Sequence, residues 1–315
     1  MGAHVTGWDP QTGAAAVVCD TSAADLASAV TDADLVVIAC PIDDVVDTVA
    51  QVLAAAKPDA VITDVCSAKS FVHAVTDERF IGGHPLAGGE SAGVEYARED
   101  LFENATWYLT PGSTTEGVKL ERLTKFITGL GARPQAMDAD AHDRLMAAVS
   151  HLPHVLANVL VEGEIDGVAA AGPSFRDATR VAGANPDLWR GIYLANGEAL
   201  VSELDRSIER LREVRDWLVE ADGNAIAKWQ TAAAGRRARL DAAITGEEIE
   251  EVRVTVPNRP GVLADLALSL GRAGINIHDL SLAPSPDRNS GEVAVWVASE
   301  NAATTRQLVD EVAAA

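Results

Sequence analysis

His84 lies in the stretch RFIGGHPLAGGESAG (79–93), fenced by glycines and by Pro85. An imidazole takes up or gives up a proton near neutral pH, so His84 is a candidate general base for a hydroxyl proton. The flanking glycines predict exposed, flexible backbone open to close approach; the alternative is an ordinary loop histidine. Glu90, six residues on, is placed to orient His84 or to gate a pocket. Ser67, in DVCSAKS, follows the apolar run AVITDV. A serine at the carboxyl end of a parallel strand sits where doubly wound sheets bind ligands; it also suits the N-cap of a helix over SFVHAV. SHLPH places His151 and His154 three apart on one helical face. A metal pair there would lack a third ligand, and helix packing accounts for one of the two. FRDATR places Asp177 and Arg180 on one face as well. A buried arginine held by an aspartate is a preset fork for a carboxylate, or else a structural salt bridge. Asp9 ends HVTGWDP, where a dinucleotide fold binds the ribose 2′-hydroxyl; a carboxylate there favours NAD over NADP. Asp9-Pro10 as a plain turn is the alternative.

These residues need a framework, and the hydrophobic pattern supplies one. LVVIAC (35–40), AVITDV (60–65), FIGG (80–83) and TWYLT (106–110) read as strands. Between the first two, apolar residues at 45, 46, 49, 52 and 53 have helical spacing. Continuous apolar strands alternating with amphipathic helices predict an α/β fold with a parallel sheet covered on both faces. A Rossmann-type unit also needs a strand, a GxGxxG turn and a helix ahead of its acidic residue. Eight residues precede Asp9, and they hold no such turn. The sheet is therefore expected to be N-terminally truncated, lacking its first strand and glycine-rich loop. Cys40, Pro41 and Asp64, at strand ends, join Asp9 and Ser67 as the expected cofactor-binding set.

From residue 138 the strand signals stop. Long helical stretches run through AHDRLMAAVSHLPHVLANVLVEGEI, PDLWRGIYLANGEALVSELDRSIERLREVRDWLVEAD and NAIAKWQTAAAGRRARLDAAI. Helices this long and one-sided pack against a second copy, so a homodimer is expected. After the charged break GEEIEE, the pattern is strand, helix with a Pro-Gly start, two strands and a helix. That is a small α+β module of βαββα order. The expected domains are 1–137, 138–245 and 250–315.

The chain has 315 residues, 48% hydrophobic and 23% charged, enough for several packed domains. Its 25 Lys+Arg against 47 Asp+Glu leave a net charge of −22. Such a surface repels phosphate backbones and anionic lipid, which argues against nucleic-acid and membrane partners. Three scattered cysteines without a CxxC pair point to reduced thiols in a cytoplasmic protein and no metal site. No apolar run reaches the ~20 residues of a membrane span.

Three motifs now combine: GGHPLAGGESAGVEYAREDLFENATWYLTP, HDRLMAAVSHLPH and FRDATRVAGANPDLWRGIYLAN. In this order and spacing they resemble prephenate dehydrogenase over residues 3–245. That family oxidatively decarboxylates prephenate, or arogenate in some members, with NAD on the way to tyrosine. Residues 252–315, with VTVPNRPGVLADL and GINIHDL, resemble an ACT module, a small domain that often binds amino-acid effectors. The resemblance implies that His84 takes the proton of the ring hydroxyl and that Ser67 contacts the same hydroxyl. It implies substrate contacts for His154 and Arg180, with Asp177 holding the guanidinium. Trp189 matches an aromatic that reaches a neighbouring subunit's site, and Glu90 an acidic residue at the pocket mouth. Asn258, Pro260, Gly261 and Asn276 match effector contacts, for tyrosine or phenylalanine. The rival readings are an impaired remnant that only senses an amino acid, and another β-hydroxyacid-type dehydrogenase. The latter shares the fold but leaves SHLPH and FRDATR unexplained.

Overall fold

A computed structural model of the chain describes residues 2–11, 13–88, 96–163, 172–245, 248–284 and 289–314. It divides into two compact units, Met1–Glu164 with Ala178–Ser207, and Ile165–Asp177 with Ile208–Ala315.

The first unit is built on parallel strands. β1 (Thr6–Gly7) and β2 (Thr21–Ser22) pair in parallel as a two-stranded sheet, with α1 (Ala15–Val18) between them in the chain. After α2 (Leu26–Val30), which Asp25 and Ser28 close with reciprocal capping bonds, the main sheet begins. Its strands are β3 (Leu35–Ile38), β4 (Val61–Asp64), β5 (Phe80–Pro85), β6 (Thr106–Pro111) and β7 (Arg133–Ala136), in that spatial order. β3, β4 and β5 are parallel, β6 runs antiparallel to β5, and β7 is parallel to β6. The sequence predicted a Rossmann-type parallel sheet, and β6 is the antiparallel step within it. A parallel return needs a long crossover, usually helical, and the described part of the 86–105 connection holds no α-helix. β7 has no apolar signal: it reads RPQA, and its Pro134 is tolerated because β7 is an edge strand.

The apolar runs of β4 and β5 are buried on both faces. Ile62 and Phe80 pack with Val45, Val49 and Val52 of α3 (Val45–Ala55). Their neighbours Val61 and Ile81 pack with Trp107, Leu109, and Leu123 and Ile127 of α4 (Gly117–Gly129). Period-two alternation thus feeds two separate cores, one on each side of the sheet.

The helical part starts with α5 (Ala139–Met146), a π turn at Ala147–His151 and α6 (Leu152–Glu162). This continuous stretch, Ala139–Glu162, is apolar, with a mean hydropathy of 1.3 over its most apolar 18 residues. It nonetheless buries the polar side chains of His142, Asp143, His151 and His154. There follow α7 (Pro173–Thr179), a 3₁₀ turn at Arg180–Gly183, α8 (Pro186–Ala195), α9 (Gly197–Val219) and α10 (Gly223–Thr245). The sequence predicted one helix from 186 to 222. It breaks at Asn196, whose backbone leaves the helical region (φ −112°, ψ 29°).

In the second unit the βαββα order holds: β8 (Ile249–Pro257), α11 (Val262–Arg272), β9 (Asp279–Pro284), β10 (Ser290–Ala298) and α12 (Ala302–Ala314). β10 lies between β8 and β9, antiparallel to both. Leu266, Leu270, Val293 and Val309 close its core.

The glycines before His84 serve packing. A Cβ on Gly83 would stand 2.6 Å from both the Asp64 carbonyl oxygen and Thr63 Oγ1. Gly83→Ala is therefore expected to cost about 1–3 kcal/mol by overpacking. Urea unfolding checks this, and an unchanged midpoint would show that the strands can part without cost.

Candidate active site

The loop after β4 is held by a buried ion pair. Asp64 and Lys69 are both fully buried and their charged groups are in contact. Asp64 Oδ2 also accepts from the Cys66 N–H (2.8 Å), and Oδ1 from the Gly83 N–H (3.0 Å). One carboxylate thus fastens the loop carrying Ser67 to the strand carrying His84. A second carboxylate grips the loop from α5: Asp143 Oδ1 accepts from the Lys69 N–H and Oδ2 from the Ser70 N–H, each at 2.7 Å.

His84 is a strand residue, 8% exposed and paired with Tyr108 across the β5–β6 ladder. This corrects the expectation of an exposed, flexible loop. Its Nδ1 is 2.9 Å from His142 Nε2, and His142 Nδ1 is 2.8 Å from Asp143 Oδ1. His84 Nε2 has no hydrogen bond among the described residues. Burial pushes the His84 pKa well below the ordinary imidazole value, and nearby His142, Lys69 and His151 act in the same direction. Burial leaves the imidazole neutral at neutral pH, with Nδ1 in contact with His142 Nε2.

Cys40 and Pro41 follow β3, Ser67 follows β4, and His84 stands near the end of β5. These three strands are adjacent and parallel, so the four residues share one end of the sheet, the end at which such folds bind ligands. Ser67 is half-buried, and its hydroxyl makes no hydrogen bond among the described residues. It does not cap a helix: the short turn Ser70–Ala74 begins after Lys69 and has no side-chain cap. Cys40 is half-buried with its thiol raised by burial. Asp64, expected among the cofactor contacts, has both oxygens committed inward. Asp9 is exposed and accepts from the Gln11 N–H at 2.7 Å, the geometry of a turn.

The helices add a second cluster in the same unit. His151 is buried and its Nδ1 lies 3.1 Å from Asn196 Nδ2, which also donates to the Asp143 carbonyl (2.8 Å). Burial lowers the His151 pKa to about 4. His154 stacks on Trp189 at 3.6 Å with the rings 3° from parallel, and its Nδ1 is 2.5 Å from the Tyr193 hydroxyl. Trp189, expected to reach a neighbouring subunit, is engaged within its own chain. α8 docks on the turn after β3, where Arg190 pairs with Asp43 at 2.8 Å. Arg180 opens the 3₁₀ turn that packs on α6, and its side chain is exposed rather than buried as expected. Asp177, on α7, is exposed as well. Glu90 lies outside the described residues. Among those residues, no group of three or more His, Cys, Asp or Glu is arranged to hold a metal.

Three family profiles match the chain in order: prephenate dehydrogenase, nucleotide-binding domain, over 1–135; prephenate dehydrogenase, dimerization domain, over 138–231; and ACT domain over 251–315. A cyclohexadienyl dehydrogenase of Zymomonas mobilis is 34% identical over 214 residues, covering 64% of this chain and 73% of the relative. The chain belongs to the prephenate dehydrogenase family. A prephenate dehydrogenase of Bacillus subtilis is 29% identical over 302 residues, 90% of this chain and 81% of that one. The crystal structure of prephenate dehydrogenase from A. aeolicus, in complex with hydroxyphenyl propionate and NAD+, aligns with a TM-score of 0.69 at 25% identity. That alignment covers 75% of this chain and 89% of the other.

In this prephenate dehydrogenase family member, sequence reasoning missed His142, Asp143, Lys69, Tyr193 and Asn196. All lie inside quoted motifs, but only their contacts distinguish them from packing residues.

The buried imidazoles make stability depend on acid. Unfolded, His84 and His151 regain ordinary pKa values near 6.5. Below that pH the unfolded chain binds protons that the native state refuses, so stability falls as pH drops. The loss runs from about pH 6.5 down to about pH 4 for His151. Urea midpoints between pH 7.5 and 5 should decrease, and His151→Asn should flatten that slope. A pH-independent midpoint would contradict the buried, neutral state of both rings.

Proposed function

We propose that the protein is an NAD-dependent dehydrogenase that oxidatively decarboxylates prephenate to 4-hydroxyphenylpyruvate in tyrosine biosynthesis. The observation that carries the reading is His84: its Nδ1 is engaged by His142, and among the described residues neither its Nε2 nor the Ser67 hydroxyl at the same end of the sheet has a hydrogen bond. Cys40, Pro41 and Ser67, beyond the carboxyl ends of the adjacent parallel strands β3 and β4, suit the cofactor, since such folds bind ligands there. NAD, when bound, supplies the two-electron acceptor. Asp9, with its exposed carboxylate, is the proposed ribose contact.

Prephenate is a dianion with a hydroxyl on a cyclohexadiene ring. His84 Nε2 accepts the hydroxyl proton as the carbinol carbon is oxidised, and Ser67 holds the hydroxyl in line. Loss of the ring carboxylate as carbon dioxide then makes the ring aromatic, which needs no further catalytic group. Arg180 anchors a substrate carboxylate with Asp177 orienting it, while His154, Trp189 and Glu90 line the substrate side. General-base help is worth about 10²–10⁴-fold.

The domain boundaries that accompany this reading are 1–137, 138–245 and 250–315. Exposed apolar side chains on the helices, among them Val159, Leu194, Leu211 and Leu218, suit burial against a second copy, so the working form is a homodimer. Asn258, Pro260, Gly261 and Asn276 are all exposed around the start of α11 and before β9; they are proposed to receive tyrosine or phenylalanine. The compartment is the cytoplasm.

His84→Asn should lower kcat by about 10²-fold or more with little change in KM, because a base acts mainly in the transition state. Steady-state kinetics with prephenate and NAD, with product analysis, check it; an unchanged kcat removes His84 from the mechanism. Arg180→Gln should raise KM on the order of tenfold while kcat holds, as for a group that binds ground and transition states alike. Running the assays with arogenate in parallel reads which substrate has the higher kcat/KM.

A further inference from the structure

Behind His84 stands a second imidazole and behind that a carboxylate, all within one buried line. Asp143 takes N–H groups from Lys69 and Ser70 as well as facing His142 Nδ1 at 2.8 Å. A carboxylate already accepting two backbone donors offers His142 only an acceptor, so His142 Nδ1 must carry its proton. With a single ring proton, on Nδ1, His142 presents a bare Nε2, 2.9 Å from His84 Nδ1. The contact closes only if His84 Nδ1 is the donor, and this leaves the lone pair of His84 on Nε2. The order of protons is thus dictated from Asp143 outward.

We propose that His142 and Asp143 are positioning residues that hold His84 in the proton-accepting tautomer and stabilise it once it is charged. This rests on His84 being the base. When the substrate O–H bond breaks and the Nε2–H bond forms, His84 becomes an imidazolium whose Nδ1–H stays directed at His142. Both hydrogen bonds of the line then strengthen, because each points from positive charge toward the Asp143 carboxylate. When the proton leaves Nε2, the line returns to its starting state.

Other groups surround this line. Lys69 and His151 face His84 from the loop after β4 and from the π turn. Asp64 touches Lys69 and the Gly83 N–H. Tyr108 edges onto the His142 ring at 5.7 Å. Asn196 bonds the Asp143 carbonyl. Lys69 is paired with Asp64, whereas Asp143 is the one carboxylate among the described residues in direct contact with the imidazole line.

The test uses the full chain with three substitutions. His142→Leu removes the acceptor for His84 Nδ1. His142→Gln keeps it, with an amide oxygen toward His84 and an amide nitrogen toward Asp143. Asp143→Asn removes the charge. His142→Leu and Asp143→Asn should lower kcat on the order of 10²-fold with KM within a few-fold, and His142→Gln should recover most of that loss. The acid limb of kcat/KM should move to lower pH in Asp143→Asn, because the charged ring has lost its counter-ion. Nitrogen-15 NMR of the imidazoles, which needs no turnover, should show His84 protonated at Nδ1 in the unaltered chain and as a mixture of tautomers in His142→Leu. If kcat stays within about threefold in folded His142→Leu, or if His84 carries its proton on Nε2, the proposal is overturned. His84→Asn separates the two levels: if it cripples turnover while His142→Leu does not, only the positioning role fails. If His84→Asn is harmless, the base assignment itself fails. Adding His142→Leu to His84→Asn should cost no further kcat.

Discussion

The contact between Asp64 and Lys69, with neither side chain touching water, sets the geometry of the sheet end. Taking two charges out of water is costly, and only close pairing plus further hydrogen bonds offsets it. Asp64 gathers those bonds from Cys66 and Gly83, and Lys69 lies 5.0 Å from the Phe71 ring centroid. A well-packed apolar pair would serve stability as well. The ion pair does something an apolar pair cannot: it accepts directed N–H bonds from two separate segments and so fixes their relative positions. Ser67 and His84 inherit their placement from it.

That anchor also shapes the electrostatics. The chain carries a net charge of −22, yet the groups around His84 are imidazoles and one ammonium, with their carboxylates turned inward to backbone and lysine. Among the described residues, Asp64 and Asp143 are taken up by N–H groups and by Lys69 or His142, so neither stands bare beside the base. The same arrangement holds the His84 pKa low through burial first and neighbouring positive charge second. A base with a low pKa is weak, so its strength at the moment of transfer has to come from whatever receives its charge.

Much of this was legible in the sequence. The apolar runs at 35–40, 60–65 and 80–83 marked the parallel strands because both faces are buried, and the βαββα order of the last domain followed from alternation and turn residues. The chemistry-bearing motifs stood out through glycine, proline and histidine. What escaped notice depended on contacts far apart in the chain. His84 was expected on loose backbone, since glycines signal freedom locally; here they answer the close approach of Thr63, Asp64 and Thr110. His142 and Asp143 looked like ordinary helix residues, because nothing nearby in sequence reveals that they face residue 84. The antiparallel turn of β6 and the break at Asn196 were likewise decided by tertiary partners.

The π turn at Ala147–His151 sets the angular phase of the whole 139–162 segment. In an uninterrupted α-helix, His142 and His151 would be separated by about two and a half turns and would point to opposite sides. The wider turn resets the phase, so that both rings are buried near His84 while His154 still meets Trp189. The segment therefore behaves as a keyed shaft. Sequence change within 147–150 is tolerable by exchange of side chains but not by loss or gain of a residue, since one step in length would rotate every downstream side chain by roughly a quarter turn and unseat the stacked histidine.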